Sequence, residues 1–299
     1  MVEQLTLNQR VRGSNPLAPT STLDSLSFLD SPEQRLLMST LSQPSKNYYE
    51  LPEWYTKDFE GKVFETQENL NKAIIVLEGI SSNFENLGRK TWNIFQRAKG
   101  EFDNPDDVRY LVFDHLLQHL ECSRICLKLL IFSLKNESLR QQAFKSEDVN
   151  KVYEMLGKKF IYTPLRDFYH SLENCFWTLL KALTNKDPGK SSYNDLVKGL
   201  LGNLFSNASD KETYSDTLTT LNWTRNTVHN NWVHLGKSAT YTIKGLPFSF
   251  EENESIFFPS LNHIFVLLEE VVHTLEAIIF HPDVIKLKSE DCEERAAKL

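Results

Sequence analysis

The sequence predicts a mainly α protein, a bundle of five to seven helices with one short β-hairpin inserted before the last long helix. Three observations carry that expectation. Apolar residues recur at steps of three and four through most of residues 66–280. A single segment, 239–252, alternates at period two. The chain of 299 residues is 40% hydrophobic and 11% aromatic, which is enough to bury a real core. Helices joined by short loops are expected to pack antiparallel, apolar faces inward.

Residues 1–60 hold five of the eleven prolines and many serines, and they read as an irregular amino-terminal arm. Within it, Gly13-Ser14-Asn15-Pro16 can be encoded GGT TCG AAT CCC, a string similar to the T-arm of a transfer RNA gene. Residues 1–20 are therefore expected to be translated tRNA gene sequence, the alternative being an ordinary Pro/Ser-rich tail. The helical domain is expected over 61–285. Its first helix follows Thr66, with Leu70, Ile74, Leu77, Ile80, Phe84, Leu87, Trp92 and Phe95 on one stripe. A second follows Pro105, with Asp106 and Asp107 suited to its amino end and Asn136 to its close. A third region, 147–186, is expected to break at Tyr162-Thr163-Pro164, because proline removes a ladder N–H and disfavours helix at the residue before it. After the turn at 187–192 comes a short helix from Tyr193, then one from Lys211 to His234. The hairpin turns at Gly245, the last helix occupies 255–280, and the charged tail 286–299 is expected to be solvated.

Composition narrows the function. A net charge of −7 argues against broad, salt-driven phosphate binding but leaves room for a local nucleic-acid site. The apolar run 255–280 is interrupted by Pro259, His263, Glu269, Glu270 and Glu276, so it reads as a buried helix, with no membrane association expected. Four cysteines without a CxxC pair, and no charged-then-apolar leader, point to a cytoplasmic protein with free thiols. Glycine-rich phosphate loops, GxSxG elbows, HExxH and paired-cysteine zinc patterns do not occur. His115, His119, Cys122 and Cys126 do form one stripe on the second helix. At about 1.5 Å per residue the stripe is too long to wrap one tetrahedral ion, so the cysteines are expected to pack as small hydrophobes and no metal or cofactor is expected.

What stands out is Leu221–Gly236, "LNWTRNTVHNNWVHLG", which gathers one arginine, four asparagines, two histidines and two tryptophans. Arg225 and His229 are four apart and share a helix face, and Asn226 and Asn230 make an adjacent pair. Asparagine is a mediocre helix former, so propensity does not account for the cluster. One reading is a hydrogen-bonding knot that ties the helix end to the hairpin. The other is a phosphodiester site in which Arg225 stabilises phosphorane charge, His229 moves a proton and Asn226 orients substrate or histidine. Cleavage at an RNA 2′-hydroxyl needs two proton-transfer groups, and a symmetric dimer would supply the second.

The segment Arg225–Asn231, "RNTVHNN", resembles the arginine-to-histidine signature of the HEPN superfamily, all-helical domains of bacterial toxin, abortive-infection and RNA-guided ribonuclease systems. The resemblance implies a metal-independent endoribonuclease, or an RNA-binding relative, of a bacterial defence or toxin system. It would place catalytic roles on Arg225, Asn226 and His229 and substrate binding on Asn230 and Asn231, in a homodimer with a possible antitoxin partner. The family spaces its arginine and histidine more widely than here, where only Asn226, Thr227 and Val228 intervene. Shortening by one residue turns His229 by about 100° on an α-helix. His234 is the other candidate histidine. The alternative from a different class is a non-catalytic helical interaction module in which the same cluster is structural.

Overall fold

The computed structural model describes residues 67–293 apart from 103, 144–147, 206–208, 231–232 and 255–260. The expected amino-terminal arm, its tRNA-like stretch, the start of the apolar run at 255–260 and the last residues of the tail lie outside the described residues, as does Asn231. Among the described residues the protein is mainly α, with eight helices, two of them very short, and a single two-stranded hairpin.

Helices α1 (Gln67–Glu101) and α2 (Val108–Lys135) form an antiparallel pair. Glu78 near the start of α1 pairs with Lys135 at the end of α2 at 2.6 Å, while Phe95 late in α1 meets Tyr110 early in α2. The predicted cap holds: the Asp107 carboxylate accepts from Arg109 N–H, and Asn136 closes α2. The short α3 (Glu137–Ala143) follows.

The expected break at Pro164 does not occur. Helix α4 (Asp148–Thr184) runs through it. Proline removes one ladder bond, but Leu165, Phe168, Leu172, Cys175, Phe176 and Leu179 on the same helix are all buried, and packing of that stripe outweighs the local cost of about 3 kcal/mol. Ser192 and Asp195 form a reciprocal capping box at the start of α5 (Tyr193–Leu204). Helix α6 (Lys211–His229) carries the asparagine-rich motif.

The hairpin joins β1 (Ala239–Ile243) to β2 (Leu246–Phe250), with Ile243 opposite Leu246. Lys244 and Gly245 both have positive φ, 50° and 81°, as a two-residue turn matching the strand twist requires. Ile243, Phe248 and Phe250 fill the core. Helix α7 (Leu261–Ile279) runs parallel to α1: Lys90 pairs with Glu269 and, seven residues on in both helices, Arg97 with Glu276. No helix among the described residues is long and apolar enough to cross a membrane.

The charged residues of the tail as far as Glu293 are exposed, as expected, but the segment is also held to the body. After α8 (Pro282–Ile285), a 3-10 turn at Ser289–Cys292 returns to the body, Cys292 is fully buried and Glu293 bridges Asp107. The anchor is the buried ion pair Arg109–Asp107. Arg109 also donates to the carbonyls of Val284 at 2.9 Å and Leu287 at 3.0 Å and to the Ser289 hydroxyl at 3.1 Å, and it stacks 3.9 Å from the Phe102 ring centre. A charged composition hides this, because the segment is held by its backbone carbonyls.

Candidate functional site at the end of helix α6

Helix α6 ends at His229, five residues short of the expected His234. Asn230 caps it, leaving helical geometry while its N–H bonds the carbonyls of Asn226 and Thr227. Arg225 and His229 therefore do lie one turn apart on the last turn of a regular helix.

The asparagines and Arg225 form a chain across two helices. Arg225 Nη1 donates to Asn226 Oδ1 at 2.8 Å, Asn226 Nδ2 to Asn222 Oδ1 at 3.0 Å, and Asn222 Nδ2 to Asn194 Oδ1 of α5 at 3.0 Å. A third helix supplies the floor. The Arg225 guanidinium lies 4.7 Å from the ring centre of Tyr169 on α4, which in turn stacks at 4.5 Å on Tyr193 of α5. Burial, reinforced by the Glu173 carboxylate and opposed by Arg225, pushes the Tyr169 phenol up to about 12. Tyr193 is fully enclosed, its hydroxyl has no protein partner among the described residues, and burial raises its pKa well above the usual value.

Every partner of Arg225 is thus uncharged. Among the described residues no carboxylate lies within ion-pair distance of it. An arginine oriented by an amide and a ring, with most of its N–H donors open, can receive two oxygens of an anion. His229 is exposed and, among the described residues, makes no hydrogen bond, so its imidazole can move a proton at the surface. Asn230 is exposed too.

His234 plays a different part. It is buried, its Nε2 lies 3.1 Å from the Lys237 carbonyl and its Nδ1 3.2 Å from the Thr227 hydroxyl. A carbonyl only accepts, so Nε2 carries the proton and, in the neutral ring, Nδ1 accepts from Thr227. Its ring packs against Trp223 and Phe250, and a Cβ on Gly236 would lie 2.9 Å from it. The knot that ties the helix end to the hairpin is therefore His234, Thr227 and Trp223, while the asparagines tie it to α5.

Sequence reasoning missed Tyr169, Tyr193 and Asn194, which come from other helices and leave no local signal. Asn222 did have one, being four residues before Asn226. The histidine and cysteine stripe of α2 is also corrected: Cys122 and Cys126 are exposed rather than packed, and His119 pairs with Asp167 of α4 at 3.2 Å, its pKa lowered by burial. Compared with known proteins, the chain matches no family model, no curated protein and no solved structure.

Proposed function

We propose that the protein binds RNA at the last turn of α6 and cleaves it without a metal, as a HEPN-like endoribonuclease of a bacterial defence or toxin system. The observation that carries this reading is Arg225, a half-buried cation held in one orientation by Asn226 and Tyr169 with no carboxylate among the described residues to neutralise it. Such an arginine is preorganised for a phosphodiester. Asn226 holds the guanidinium, His229 transfers the proton, and exposed Asn230 contacts substrate, with Asn231 next in the chain. A second copy in a homodimer supplies the second proton-transfer group, the cytoplasm is the compartment, and an antitoxin-type protein is the partner that holds such an activity in check.

A second reading has its own observation. The chain Asn194–Asn222–Asn226–Arg225 joins α5 to α6 and rests on α4, which is what a purely structural network in a non-catalytic interaction module would do. One experiment separates the two. Wild-type protein, His229→Ala and Arg225→Ala are incubated with total cellular RNA in EDTA, and fragments are scored for 2′,3′-cyclic phosphate ends. Because His229 is exposed, its variant folds normally, so cleavage lost with an unchanged melting temperature supports the nuclease. Intact RNA with wild type, and a melting temperature lowered only by Arg225→Ala, favours the module.

A further inference from the structure

Helix α2 is apolar on two opposite faces. Its inner face, Val112, Phe113, Leu116, Leu120, Leu127, Ile131 and Leu134, is buried in the bundle. Its outer face carries Cys122, Ile125, Leu129 and Phe132, and the last three are 46%, 61% and 60% exposed. A helix apolar all round belongs in an interior, so a stripe of this kind facing water marks a missing partner.

The spacing says what kind of partner. Positions 118, 122, 125, 129, 132 and 136 follow the alternating four- and three-residue steps of a coiled-coil seam, which is built to accept another helix. We propose that the partner is α2 of a second copy, packed antiparallel about a two-fold axis crossing the helix at residue 127. This inference does not rest on the nuclease reading: α2 touches α4 at Asp167 through His119 and α6 touches it at Tyr169 through Arg225, two residues and so about 200° apart on the helix.

The occupant follows from self-complementarity. In that register Ile125 meets Leu129 of the partner subunit, small Cys122 meets large Phe132 of the partner subunit, and Gln118 meets Asn136 of the partner subunit. Each layer occurs twice, apolar against apolar in the middle and amide against amide at the ends. Along one flank Glu121 lies beside Lys135 of the partner subunit on either side of a central Lys128 pair; these side chains are exposed, so the present ion pairs with Arg124 and Glu78 can rearrange at little cost and the two lysines can splay into solvent. Along the other flank Cys126 faces Cys126 of the partner subunit close to the axis, whereas the two Cys122 residues lie about 15 Å apart along the seam at 1.5 Å per residue. A parallel pairing would instead bring the two Cys122 residues together.

The test uses the full chain. Sedimentation over a range of micromolar concentrations is expected to show self-association that loses its α2-dependent step in Leu129→Glu, leaving at most the pairing through α6, with the melting temperature measured on dilute monomer unchanged because that side chain is exposed. A short bismaleimide should crosslink the dimer through Cys126: Cys126→Ser removes the crosslink and Cys122→Ser leaves it. A monomer at every concentration overturns the proposal. So does a dimer indifferent to Leu129→Glu, or a crosslink carried by Cys122. A monomer that Leu129→Glu destabilises overturns it as well, since the stripe is then covered from within the chain.

Discussion

Arg109 and Arg225 are both set against an aromatic ring near one end of a helix, and they differ in everything else. Arg109 is buried, paired with the Asp107 carboxylate, and spends its remaining donors on the Val284 and Leu287 carbonyls and the Ser289 hydroxyl. Arg225 is half-buried, meets only the Asn226 amide and the Tyr169 face, and faces no carboxylate among the described residues. An arginine with every donor satisfied and its charge neutralised can do nothing further for a ligand. An arginine that is oriented but not neutralised has capacity left over. The comparison separates a residue that holds the chain together from one available to an anion, although both are arginines lying over an aromatic ring.

The sharpest way to break the comparison is to remove each arginine and measure stability. Arg109→Met leaves the Asp107 carboxylate buried and unpaired, and removing one partner of such a pair costs about 3–5 kcal/mol. In a domain of this size that lowers Tm by on the order of 10 °C. Adding Asp107→Asn should recover part of the loss, since the stranded charge is gone and an asparagine can still cap α2. Arg225→Ala should cost only about 1–2 kcal/mol, the worth of one neutral-acceptor hydrogen bond and a partly exposed cation–ring contact. Equal losses in thermal unfolding would mean that Arg225 is as structural as Arg109, and the RNA reading would lose its main support.

An effect smaller than that at Arg109 is expected from Asn222→Ala. Asn222 is buried and sits in the middle of the amide chain, so its loss strips Asn194 Oδ1 and Asn226 Nδ2 of this partner and costs about 1–2 kcal/mol. If Arg225 is a site residue, this variant should also weaken RNA binding measured by filter retention, because Asn226 no longer holds one orientation. Destabilisation with undiminished binding would show that the relay does not serve Arg225.

How these two regions read in the sequence is instructive. Among the described residues, period-three and period-four apolar spacing located the long helices, because burial of a stripe is a local pattern. It misjudged Pro164, where packing of a long buried stripe overrode a local rule, and it overran His229, although the asparagine run beyond it is what a helix end favours. The motif residues Arg225, Asn226 and His229 were legible because they lie within one turn of one helix. Tyr169 and Asn194, which orient them, were not, since a contact between helices has no signature in either one. For the same reason nothing in the composition of the tail announced that Arg109 would draw Val284, Leu287 and Ser289 onto the body.

The two regions should also separate under alkali, by an effect that is absent at neutral pH. Cys292 packs beside the Arg109–Asp107 pair, and burial pushes its thiol from 9.0 up to about 12. Tyr169 lies beneath Arg225, and burial pushes its phenol from 10.0 up to about 12. Both groups are neutral when protonated, and both have a folded pKa above the unfolded one. Each therefore contributes stability that is fully present below its unfolded pKa and is lost as pH rises towards the folded value. Above pH 9 the unfolded chain releases the Cys292 proton while the folded chain keeps it, so the unfolded state gains by at most about 1.4 kcal/mol per pH unit. Above pH 10 Tyr169 adds a second slope of the same sign. Denaturant unfolding followed from pH 8 to 11 should show wild-type stability falling from about pH 9, Cys292→Ala flat until about pH 10, and Tyr169→Phe with a shallower fall above about pH 10, where buried Tyr193 still contributes. The alanine leaves a small cavity that lowers the whole curve, which is why the slope and not the height is the readout. A wild-type curve level through pH 11 would mean that neither group is as enclosed as its neighbours make it, and the contrast between a closed region and an open one would have to rest on the two arginines alone.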